Sequence, residues 1–173
     1  MIKNLRTFPA GSSGGPDGII PQHLLDLLTS SDDTLKTALT DFINVMLSGN
    51  LLQPIREVIL EGHLIALKRN DCGIRPIAIG YTLRRLAAKC ANSHAITARS
   101  KVLKPVKVGV SISGGAEAAV HAVRRFVETI EDDNVLVKLE FANAFNTIRR
   151  DSILETKAEK TPELYKFVLT THS

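Results

Sequence analysis

Leu35, Leu39, Phe42, Ile43 and Met46 recur every three or four residues, which places them on one face of a helix, and Gly49 follows where that helix should stop. Ahead of them, FPAGSSGGPDGIIPQHLLDLL begins as a glycine- and serine-rich loop, a hinge or a contact surface. It becomes a helix at Pro21, whose missing amide suits the first helical position. The apolar spacing then shortens. Residues 64–69 and 74–79 are dense in aliphatics around the turn formers NDCG, which predicts a β-hairpin. With residues 70–73 as the loop, Arg69 pairs with Ile74 and Lys68 falls opposite Arg75 on the same face. Like charges so placed destabilise a sheet, so either the register differs, solvent screens them, or an anion sits between them.

Beyond the hairpin, Thr82 is placed to cap a basic amphipathic helix. Leu83, Leu86, Ala87 and Cys90 form its apolar side, and Arg84, Arg85 and Lys89 are spread around the rest. GVSISGG then leads into a helix with Ala119, Val123 and Phe126 at core spacing, on which His121 reads as a tolerated polar residue. Residues 135–141 alternate Val135, Val137 and Leu139 with Leu136 and Lys138, the period of a strand with one buried face. That strand ends on Glu140, either a metal ligand or a polar residue where the strand meets solvent. Asp151 caps a following helix, and Thr161 with Pro162 opens a last one. Helices, a hairpin and one later strand make a mixed α+β chain, and a lone strand is not a stable sheet.

Composition narrows this only slightly. The chain has 173 residues, 44% of them hydrophobic, enough for one compact domain or two small lobes. Its 22 Lys and Arg against 18 Asp and Glu leave a formal charge of +4, a mild footprint for phosphate-bearing partners. Cys72 and Cys90 are too few for a disulfide framework and lack metal-site spacing. MIKNLRTFPAGSSGG lacks the apolar core of a signal peptide, and no stretch reaches the roughly 20 apolar residues of a membrane span. The expectation is a soluble, intracellular protein in a reducing compartment, nucleus or cytoplasm, with no membrane partner.

Four stretches then carry a resemblance: GGPDGIIPQHLL, LIALKRNDCGIRPIAIGYTLRRLAAKC, GVSISGGAEAAVHAVRRF and VLVKLEFANAFNTIRRDSIL. In this order they resemble the fingers and first palm segment of reverse transcriptases of non-LTR retrotransposons, from about Phe8 to the end of the chain. The resemblance implies an incomplete right-hand polymerase fold. Residues 1–133 would be fingers-like, and residues 134–173 the start of a palm cut short, whose strand lacks its partners.

It also implies roles. Lys68 and Arg75 match the positions that hold the phosphates of an incoming nucleoside triphosphate, and Phe145 matches the aromatic that screens the sugar 2′ hydroxyl. On the residues alone Phe145 is equally a core aromatic in the loop leaving a strand. Arg84, Arg85 and Lys89 would contact RNA or an RNA/DNA duplex. Glu140 stands where the family carries the first aspartate that holds two Mg2+ ions for phosphoryl transfer. It is one methylene longer than aspartate, and the family's later pair of aspartates has no counterpart in this chain.

A polymerase fragment inactive on its own, binding nucleic acid or nucleotide phosphates at most, is therefore the leading expectation. Two alternatives stand beside it. One is a protein-interaction scaffold, with a partner chain or a second copy at the palm edge. The other is part of an active RNA-directed DNA polymerase completed by sequence outside this chain.

Overall fold

The computed structural model describes residues 1–29, 33–68, 73–103, 107–109, 112–142 and 144–172. The chain divides into two compact units, one made of Met1–Ser93 with Leu154–Ser173 and the other of His94–Ile153. These breaks follow compactness and fall elsewhere than the division at residues 133 and 134 that the resemblance implies.

The first unit grows from the helices that the apolar spacing predicts. A short helix α1 (Ile2–Leu5) seals Leu5 fully inside. Helix α2 (Pro21–Thr29) starts on its proline and buries Leu24 and Leu28, four residues apart on one face. Helix α3 (Asp33–Ser48) buries Ile43 and Met46 from the predicted stripe, with Leu35, Leu39 and Phe42 half-buried beside them. Gly49 ends α3 at φ +74°. Helix α4 (Gln53–Leu60) has no counterpart in the sequence reading. Its eight residues bury only Ile59, too short and too little apolar a stripe to stand out by period.

Helix α9 (Pro162–His172) opens on Thr161 and Pro162 as expected, and packs against α3 with Phe167 and Val168 buried. The end of α9 is tied back to the turn after α3, where Thr170 Oγ1 donates to the Gly49 carbonyl at 3.3 Å. Arg56 Nε of α4 donates to the Thr170 carbonyl at 3.1 Å.

Strands β1 (Gly62–Lys68) and β2 (Ile74–Gly80) form the predicted antiparallel hairpin, the sheet found among the described residues. The register differs by one from the expected pairing. Lys68 lies opposite Ile74 and Leu67 opposite Arg75, so five residues, 69–73, connect the strands. Because side chains alternate, a one-residue slip moves Lys68 to the other face from Arg75. The expected like-charge pair is therefore absent. Arg69 and the NDCG turn up to Cys72 lie outside the described residues.

Helix α5 (Thr82–Leu103) follows the hairpin directly, with Leu86 and Ala87 buried and Cys90 half-buried as a free thiol. Thr82 does not cap it through an amide. Its hydroxyl is fully buried and donates to the Ile19 carbonyl of the loop before α2.

The second unit departs most from expectation. Helix α6 (Gly115–Glu128) forms, but its supposed core face is not covered: Ala119 is half-buried, while Val123 and Phe126 are exposed. His121 is exposed, with its Nε2 3.8 Å from Glu117. Residues 135–141 form no strand, because nothing in the described structure supplies a hydrogen-bonding edge for them. Their side chains are exposed at odd and even positions alike. A four-residue helix α7 (Ala144–Thr147) follows. At the start of α8 (Arg150–Lys160), Asp151 is the second helical residue rather than the residue before the helix. It accepts from the Ser152 amide at 2.8 Å and pairs with Arg149, which holds its carboxyl below the usual carboxylate range.

Candidate nucleic-acid interface

Two stretches far apart in sequence, the GPDG loop and the passage from hairpin to basic helix, meet in the first unit. Residues Gly15 to Gly18 make a tight turn, closed by the Gly18 amide donating to the Gly15 carbonyl at 2.9 Å and by Asp17 Oδ1 accepting from the Ile19 amide at 3.0 Å. The turn lies directly on the junction of β2 and α5. A Cβ on Gly15 would stand 2.6 Å from Tyr81 Cα, which only a glycine avoids. One step on, the Thr82 hydroxyl reaches Ile19. The GPDG loop, the end of the hairpin and the start of the basic helix thus form one junction.

The helix cations hold this junction together. Arg84 turns inward, where its Nη1 donates to the Leu60 carbonyl at 3.0 Å and burial pulls its guanidinium below the usual arginine value. Arg85 Nη2 donates to the Ser13 carbonyl and, at 3.0 Å, to Thr82 Oγ1. Arg85 Nε is buried with no hydrogen-bond partner among the described residues. Lys89 Nζ donates to Thr7 Oγ1 at 3.0 Å. Phe8 lies under both cations, with Arg85 Cζ 5.5 Å and Lys89 Nζ 4.6 Å from its ring centre, inside cation–π range. Sequence reasoning missed Phe8, because no local spacing relates it to a helix some eighty residues later.

Thr82 is the polar centre of this arrangement, as donor to Ile19 and acceptor from Arg85. Thr82→Val keeps the shape and removes both bonds, leaving the half-buried Ile19 carbonyl without its donor. The expected loss is about 1–3 kcal/mol in chemical denaturation, with Thr82→Ser losing well under half of that.

Lys68 and Arg75 behave differently. Both side chains are exposed at the turn end of the hairpin, on opposite faces, and neither makes a hydrogen bond or ion pair among the described residues. They are strongly hydrated charges with free donors.

Glu140 and Phe145 belong to the second unit. Glu140 is exposed in the segment without regular structure, and Phe145 sits in the backbone of α7 with its side chain outside the described residues. Asn143, beside it, is also outside them. Mg2+ wants several oxygen ligands in near-octahedral array. Among the described residues no three His, Cys, Asp or Glu groups gather in a way that could hold a metal. A single exposed carboxylate does not fit a two-metal centre.

No described helix is long and apolar enough to cross a membrane. In comparisons with known proteins, no family model, no curated protein and no solved structure matches this chain.

Proposed function

We propose that this chain is the fingers and opening palm portion of a reverse-transcriptase-like polymerase of the non-LTR class. On this reading it binds RNA or an RNA/DNA duplex through phosphate contacts and transfers no nucleotide by itself. The reading rests on the four stretches that carry the resemblance, the first two of which meet in the first unit. The observation that supports the binding role is how the cations are used. Arg84, Arg85 and Lys89 are occupied by carbonyl oxygens, a hydroxyl and an aromatic ring, whereas Lys68 and Arg75 have no partner among the described residues. The helix cations then position the loop, and the hairpin cations meet phosphate from the two faces of a ribbon narrow enough to lie along a groove.

The proposal predicts affinity that falls steeply with salt and is the same in excess EDTA as in magnesium. Reversing both charges, Lys68→Glu with Arg75→Glu, should weaken binding of a labelled RNA/DNA duplex at least tenfold. It should also reduce the slope of log affinity against log salt by about two, one for each lost phosphate contact. Fluorescence anisotropy across a salt series measures both. Equal affinity and equal slope in the variant would remove the hairpin from the interface.

A further inference from the structure

Residues 135–141, VLVKLEF, are an apolar segment, with the alternation of a strand, that no described residue covers. Val135 is 77% exposed, Val137 67%, Leu139 73% and Phe141 74%, and the even-numbered side chains are exposed as well. Monomeric proteins rarely leave such a run open, since its free amides and carbonyls are a template for another strand. The pattern of charge identifies which strand. In an antiparallel pair the numbers of facing residues have a constant sum, and one sum makes this segment complementary to itself.

We propose that this segment pairs antiparallel with the same segment of a second copy, residues 137–141 against residues 137–141, in the register that sets Leu139 against Leu139. In that register Lys138 of each chain faces Glu140 of the other, so the two-fold axis generates two cross-strand ion pairs. On the other face Val137 meets Phe141, a β-branched residue against an aromatic, on both sides of the central leucines. A strand pair of five facing positions, 137–141, is marginal alone and needs apolar cover. The stripe Val120, Val123, Val127 on α6, exposed in the same unit, supplies apolar surface from each copy. The register also explains Glu140 without a metal: its carboxylate is one half of an intermolecular pair. The inference is independent of the nucleic-acid reading, since Lys68 and Arg75 take no part in it.

The test is a charge swap on the full chain. Sedimentation velocity over about a hundredfold range of concentration at physiological salt should show wild type shifting from monomer to dimer. Lys138→Glu alone, or Glu140→Lys alone, turns two attractive pairs into two repulsive ones and should raise the dissociation constant about tenfold. The double variant Lys138→Glu with Glu140→Lys should restore the dimer. Both positions lie on the surface, and far-UV circular dichroism should show an unchanged fold in all three variants.

Register is read separately. Leu139→Cys should form a covalent dimer on mild oxidation beyond the wild-type background, because the facing Cα atoms fall within disulfide reach. Val135→Cys should not, since its two copies stand about 26 Å apart in this arrangement. A monomeric wild type, aggregation indifferent to the swap, or equal crosslinking at both positions would overturn the proposal.

Discussion

Leu86→Ala will cost the first unit about 3 kcal/mol, near a large share of what holds a unit of this size together. Leu86 has no exposed surface, and it sits one turn after Thr82 on the helix that carries the loop junction. Truncation removes three carbons from a filled space, so the loss combines transfer free energy with a cavity that neighbours refill only in part. Urea denaturation followed by helical circular dichroism reads it as a lower midpoint with an unchanged slope. Leu64→Ala is the internal comparison, because Leu64 is 75% exposed on β1 and its truncation should change stability by less than about 0.5 kcal/mol. If the two leucines cost the same, Leu86 is not where the core lies.

Gly49→Ala is expected to lose about 3 kcal/mol for two separable reasons. Gly49 holds φ +74° after α3, where a side chain strains the backbone, and its Cβ would meet the Lys166 carbonyl oxygen and Thr170 Oγ1, each at 2.9 Å. The carbonyl belongs to the backbone of α9 and cannot swing aside, so the added methyl pushes α9 away from α3. Gly11 has the same φ and nothing within 4 Å of its Cβ position. Gly11→Ala should therefore show the backbone part alone, about 1 kcal/mol. The difference between the two melting shifts isolates the contact of α3 with α9. Equal shifts would mean that α9 yields freely.

Helix faces were largely readable. The stripe from Leu35 to Met46 forms the helix it predicts, and Pro21, Gly49 and Pro162 mark ends where they should. These features depend on neighbours within a turn, so the chain itself carries the information. The hairpin was found, but its register was not, since a loop of five residues in place of four changes every facing pair. The apolar faces of α6 and residues 135–141 were identified as apolar, yet expected to be buried. Period says which side of an element is greasy; it does not say whether anything lies against it.

The candidate site shows the same division. Lys68 and Arg75 stand out by their place in the hairpin and make no hydrogen bond or ion pair among the described residues. Arg84, Arg85 and Lys89 looked like an open basic face, and their actual partners, Leu60, Ser13, Thr7 and Phe8, are distant in sequence. Glu140 was expected at the end of a strand and lies instead in an exposed segment without regular structure.

The starts of α2 and α9 at their prolines, the end of α3 at Gly49 and the presence of a basic hairpin are written in the chain, because each is settled by chemistry a few residues wide. That Thr82 reaches across to Ile19, that Lys68 and Arg75 turn to opposite faces, and that no described residue covers residues 135–141 are matters of tertiary structure. Those outcomes depend on which surfaces meet, and a one-dimensional pattern fixes the stickiness of a surface without fixing its neighbour.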